Sequence, residues 1–173
     1  MNTSAIQLVA RCALSLGALL PLACLHAAPT DVAEADALMR QGDVPAAMNL
    51  LRKAADADDA VAQARLGDLL RAAEYEAEAV VLYRKSADRG EPAGEYGLGR
   101  AYADGAGVKK DPALAVELYR KAEQKNYAPA VSALARAYRS GTLGLPLDPE
   151  KARSYEARAQ ELAAKDSTVK EYR

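Results

Sequence analysis

One segment is copied several times along this chain, and that limits its fold more than any single residue does. The run Ala115-Val116-Glu117-Leu118-Tyr119-Arg120-Lys121-Ala122 aligns with Ala79-Val80-Val81-Leu82-Tyr83-Arg84-Lys85-Ser86 at an offset of 36 residues. Another 32 residues back lies Ala47-Met48-Asn49-Leu50-Leu51-Arg52-Lys53-Ala54, and 37 residues forward from Ala115 lies Ala152-Arg153-Ser154-Tyr155. The same forward step sets Asp111-Pro112 on Asp148-Pro149. Periods of this length with helical patterning mark an α-solenoid, in which no unit can bury its apolar face alone and stacking makes one continuous core. The spacing predicts an all-α fold of about four stacked helix-turn-helix units, at residues 31–59, 60–92, 93–128 and 129–164.

Within a unit the pattern reads as helix A, a turn, helix B and a short link. In the third unit helix A is expected over Ala93–Ala103, and the turn Asp104-Gly105-Ala106-Gly107 follows, because glycine takes positive φ at no steric cost. Asp111-Pro112 then opens helix B, aspartate accepting from free amides and proline suiting the first helical position. Small residues recur in register at Leu66-Gly67, Leu98-Gly99 and Leu134-Ala135. A glycine inside a helix costs about 1 kcal/mol relative to alanine, so its repetition points to a neighbour that leaves no room for a side chain. The last helix, expected over Glu150–Ala164, is rich in charge and reads as the polar cap that a terminal repeat requires. Residues 165–173 are expected to form a flexible tail.

Residues 1–28 read as a leader. Arg11 is their one charged side chain, Cys12–Leu25 is a nearly apolar run of 14 residues containing Pro21, and Ala27-Ala28 closes the segment. This is the layout of a secretory signal peptide, and the run is short against the roughly 20 residues of a membrane-spanning helix. Cleavage after Ala28 would make the protein periplasmic. The alternative is a lipoprotein anchored at Cys24, against which stand Pro21 three residues earlier and the following Leu25-His26.

Cys12, Cys24 and His26 are the chain's whole stock of thiol and imidazole, and all precede that cut. The remaining chain therefore lacks the groups that cysteine, serine–histidine and most zinc chemistry use. No metal site, cofactor or catalytic residue is expected. Carboxylate clusters at Asp56, Asp58, Asp59 and at Glu74, Glu76, Glu78 read as solvated helix ends, since acids favour helix starts. A glycan-modifying enzyme built on such a carboxylate pair is the remotest reading. The formal charge of −1 becomes −2 without Arg11, a balance that offers no general attraction to nucleic acid or anionic lipid.

The run Ala93-Gly94-Glu95-Tyr96-Gly97-Leu98-Gly99-Arg100-Ala101-Tyr102, then Gly105 to Asp111, then Ala115, Tyr119 and Lys121-Ala122, resembles a Sel1-like repeat. That family is a variant of the tetratricopeptide solenoid with a longer, glycine-containing turn. Ala130–Ala159 is similar to it with one extra loop residue. Ala60–Gly90, with a turn four residues shorter around Ala73-Glu74, resembles the parent tetratricopeptide form, and Val32–Asp59, turning at Gly42-Asp43, is a degenerate copy. The resemblance implies a non-enzymatic scaffold or adaptor that binds another exported or envelope protein, with helix A along the concave face. An immunity protein neutralising a toxin directed at the periplasm is the alternative. On helix A, Asp68, Arg100 and Arg136 occupy matched positions, Arg71 and Arg139 lie one turn further on, and Tyr96 lies close to Arg100. Arginine and tyrosine dominate interface hot spots, so Arg71, Tyr96, Arg100, Arg136 and Arg139 are the candidate partner-binding residues. Tyr102 and Tyr138 either join them or pack inside, and Tyr83 and Tyr119 are expected in the packing.

Overall fold

The computed structural model describes residues 29–171; the leader, with Cys12, Cys24 and His26, lies outside the described residues. Among these there are eight α-helices and no strand: α1 (Pro29–Gln41), α2 (Val44–Asp56), α3 (Ala60–Ala72), α4 (Glu76–Asp88), α5 (Pro92–Asp104), α6 (Pro112–Gln124), α7 (Ala128–Ser140) and α8 (Pro149–Glu171). Each helix packs on the next, and α3 also packs on α5; α1 reaches α3 through the Asp36–Arg65 ion pair, and α5 reaches the start of α7 where Tyr96 meets Tyr127. None of the described helices is long and apolar enough to cross a membrane.

Local chemistry sets the helix starts. Asp43, Asp59, Asp111 and Asp148 each accept from the amide three residues on, at 3.1, 2.8, 3.0 and 2.9 Å. Such a cap stabilises a helix by about 1 kcal/mol. The expected turn glycines do take positive φ, 82° at Gly105 and 69° at Gly107. A side chain at Gly107 would also strike the Glu76 carbonyl, 2.5 Å from its Cβ position, so this loop is packed against the start of α4. The end of α8 differs from the expected end at Ala164: the helix continues to Glu171. No glycine or proline follows Ala164 to stop it, and Lys165 pairs with Glu161 one turn back at 2.7 Å.

The small positions on the odd helices have a specific cause. Tyr83 of α4 is buried between α3 and α5. A Cβ on Gly67 would lie 2.8 Å from its ring, and one on Gly97 only 2.4 Å. Tyr119 of α6 repeats the arrangement against Gly99, where a Cβ would lie 2.8 Å from the ring. Where the even helix has no tyrosine at this repeat position, the odd helix of the same unit carries alanine: Ala35 with Leu51 and Ala135 with Glu156. Tyrosine and glycine thus form one packing unit, residue by residue.

Candidate functional site

Because each tyrosine passes between two odd helices, its hydroxyl emerges on the face they share. The Tyr83 hydroxyl donates to Asp68 Oδ1 at 2.8 Å. Burial raises its pKa most, Asp68 raises it further, and Arg71 opposes them. The Tyr119 hydroxyl emerges one unit on, its pKa raised first by burial and then by Tyr96 and Asp104, against Arg100 and Arg136. The two hydroxyls therefore place Asp68, Arg71, Arg100 and Arg136 along one face of α3, α5 and α7.

Tyr96 sits at the middle of this face. Its ring lies 5.8 Å from that of Tyr119 and 5.6 Å from that of Tyr127, and the Arg100 guanidinium stands 5.4 Å from its centroid. Tyr127 caps the start of α7, and burial followed by the Asp68 charge pushes its hydroxyl up to about 12. Beside Tyr119 an open cleft of about 200 Å³ is lined by Asp104, Arg136, Thr142 and Leu143.

Among the described residues Arg71, Arg100 and Arg136 make no ion pair, and the Arg71 Nε is buried with no hydrogen-bond partner. Other basic residues do have carboxylates: Arg65 with Asp36 at 3.4 Å, Arg89 with Asp58 at 2.9 Å, Lys125 with Glu95 at 2.6 Å, and Arg158 with Glu123. Three guanidiniums on one face thus keep donors that no carboxylate among the described residues engages. Chemically this face can hold carboxylates, hydrogen-bond a peptide and stack a planar group.

Four of the five candidate residues, Arg71, Tyr96, Arg100 and Arg136, are brought to this face. Arg139 pairs with Glu156 of α8 and lines a second cleft, of about 330 Å³ between α7 and α8, together with Arg136, Ser132, Ala159 and Gln160. Tyr102 and Tyr138 point toward the even helices: Arg84 Nη2 donates to the Tyr102 hydroxyl at 3.0 Å, and Lys151 stands 4.4 Å from the Tyr138 ring. The hydrogen bond from Lys151, aided by Arg120, holds the Tyr138 hydroxyl below its usual pKa. Both are therefore packing residues. Sequence reasoning missed Tyr127, which precedes α7 and shares no repeat position with the other tyrosines.

No cluster of three metal-ligating side chains occurs among the described residues. Asp58 and Asp59 serve an ion pair and a helix cap, while Glu76 and Glu78 lie in the first turn of α4.

Comparison with known proteins follows the same units. The family model of the Sel1 repeat matches residues 37–59, 60–91, 92–127 and 128–159. No curated protein sequence matches the chain. A Sel1 repeat protein from Oxalobacter formigenes is 26% identical and superposes with a TM-score of 0.67, over 76% of this chain and 55% of its own. The antigen c5321 of uropathogenic Escherichia coli strains, which displays an SLR fold, is 28% identical with a TM-score of 0.65, over 80% of this chain and 33% of its own. The chain thus spans about half of the first of these proteins and a third of the second.

Proposed function

This chain belongs to the Sel1 repeat family, whose members generally mediate protein–protein interaction and are typically non-catalytic scaffolds. From that premise we propose that it is a non-enzymatic adaptor of the bacterial periplasm, holding another exported or envelope protein in the groove formed by α3, α5 and α7. The observation that carries this reading is the set of unpaired guanidiniums, Arg71, Arg100 and Arg136, on one face with Tyr96. An arginine without a carboxylate partner keeps its donors for a ligand, and Arg and Tyr supply most interface energy in general. Export is supported by the leader-like residues 1–28, with one basic side chain, a short apolar run and the small residues Ala27-Ala28 at its end.

The test uses the full chain expressed in a bacterial host, with the envelope fraction crosslinked and the captured proteins identified. Wild type is expected to retain one partner set that the folded Arg100→Glu/Arg136→Glu double variant loses by at least about tenfold, the usual scale for reversing hot-spot charges. Equal capture by both would refute the groove. Export is tested on the same cells: the chain should appear in the periplasmic fraction with Pro29 as its first residue, and an unprocessed cytoplasmic chain would exclude it.

A further inference from the structure

We propose that the cleft beside Tyr119 binds a free α-amino acid as its zwitterion, the carboxylate held by Arg136 and the ammonium by Asp104. This goes beyond the adaptor reading and does not depend on it. The cleft lies where α5, α6 and α7 meet the loop after α7, and both charged side chains line it. Neither makes an ion pair or hydrogen bond with any described residue, so the two do not neutralise each other. Asp104 is also the last residue of α5, whose last turn has no basic side chain, although the negative end of a helix dipole disfavours an acid there. The helices α2 and α4 end in aspartate too, but Lys53 and Lys85 stand in their last turns.

The tyrosine hydroxyl points to the same ligand. In the preceding unit Tyr83 donates to Asp68 at 2.8 Å. At the position matching Asp68, α5 carries Arg100, a donor that stands 5.4 Å from the centroid of the Tyr96 ring. The Tyr119 hydroxyl has no hydrogen-bond partner among the described residues. Burial raises its pKa and keeps it protonated, so it is free to donate to an acceptor in the cleft, and Thr142 adds a second hydroxyl. Leu143 forms an apolar wall. Its φ of 56° is left-handed, which aliphatic residues rarely adopt, and its side chain packs against the cluster of Tyr119 and Leu134, so the wall is fixed.

An α-amino acid answers all of these groups. Its two charges are attached to one carbon, so a single small molecule serves Asp104 and Arg136 together. The carboxylate has about four acceptor sites, enough for the guanidinium and both hydroxyls, and the ammonium has donors for Asp104. A short apolar side chain, as in alanine, fits against Leu143, Ala133 and Ala137. The cleft volume of about 200 Å³ is below the roughly 300 Å³ at which pockets for drug-sized ligands begin, so one amino acid is the right scale. A side chain of a protein partner brings a single charge and leaves Asp104 or Arg136 unanswered.

Titrating the isotope-labelled full chain with L-alanine, N-acetyl-L-alanine and L-alaninamide would test this through the NMR amide shifts of Thr142 and Leu143. L-alanine should bind at least about tenfold more tightly than either analogue, since one lacks the ammonium and the other the carboxylate. The folded Asp104→Asn variant should lose the preference over N-acetyl-L-alanine, and Arg136→Gln the preference over L-alaninamide. Tyr119→Phe, which keeps the ring, should weaken L-alanine several-fold. Equal or tighter binding of N-acetyl-L-alanine would overturn the proposal in favour of a polypeptide's C-terminal carboxylate, and that of L-alaninamide in favour of a chain N-terminus. No saturable shift at Thr142 and Leu143 in tens of millimolar L-alanine, or binding that none of the three variants weakens, would overturn it as well. The crosslinking comparison is independent of these results, so the groove stands or falls separately.

Discussion

The junction between the second and third units and the open end of the fourth are built on the same pair of helices, yet one invites a neighbour and the other refuses it. At the junction, Tyr83 fills the space between Gly67 of its own unit and Gly97 of the next. At the open end the corresponding place belongs to Glu156, paired with Arg139, and the small residue beside it is Ala135. The backbone framework is alike in both. What changes is one side chain on the even helix, an aromatic that needs covering on two sides or a carboxylate that needs water and a cation. In the last described unit that side chain is polar, the composition of a capping repeat.

The most direct way to break this contrast is to remove the aromatic. Tyr83→Ala should cost about 3–5 kcal/mol, the range for emptying an aromatic site in a core, because the ring is in contact with two units at once. Chemical denaturation should show a lower midpoint and, if the units come apart, a lower slope. A loss below about 1 kcal/mol would mean that the ring fills space without joining the units. Gly97→Ala attacks the same junction from the other side and should cost about 1–3 kcal/mol by overpacking, even though alanine is the better helix former. Ala135→Gly, at the capped end, should cost only the propensity difference of about 1 kcal/mol. Combining Gly97→Ala with Tyr83→Leu should be less destabilising than the two losses added, since the clash disappears with the ring.

Alkaline pH sharpens the comparison without mutation. The hydroxyls of Tyr83, Tyr119 and Tyr127 have folded pKa values raised above tyrosine's ordinary 10.0, chiefly by burial. The unfolded chain therefore loses these protons first, and the stability they contribute is whole below pH 10 and falls as pH rises from there, for Tyr127 through about 12. Denaturation midpoints should stay level through neutral pH, where the described residues contain no histidine to titrate, and drop from about pH 10 upward. Hydrogen exchange should show α3–α6, which hold Tyr83 and Tyr119, losing protection more steeply than α8, which lies at the Glu156 end. Uniform loss along the chain would break the comparison.

Much of this was legible in the sequence for a physical reason: Gly67 and Gly99 stand in register, so the repeat itself revealed that something crowds them. Gly97 was not legible in that way. Its crowding neighbour is Tyr83 of the preceding unit, and neither Arg65 nor Ala133 at the matched positions hints at a glycine. The arginines of α3, α5 and α7 were readable because the repeat matches Arg100 with Arg136 and Arg71 with Arg139, whereas Tyr127 was not, since it precedes α7 and shares no repeat position with the other tyrosines. The end of α8 misled for the opposite reason, since charged residues without glycine or proline continue a helix as readily as they form a tail.

Arg139 gives the smallest expected effect. It matches Arg71 in register, but eight residues after the Asp148 cap α8 has Glu156, where α6 has Tyr119 eight residues after Asp111, and Arg139 pairs with that carboxylate. Arg139 is exposed and its pair is at the surface, so Arg139→Ala should change stability by less than about 1 kcal/mol. It should also leave partner capture unchanged, whereas Arg136→Ala, one turn earlier on the same helix, should weaken capture with equally little effect on folding. Measured side by side, the two variants separate a cap from a binding face: equal losses of capture would make the open end part of the interface, and the polar pair there would be an occupied contact rather than a stop.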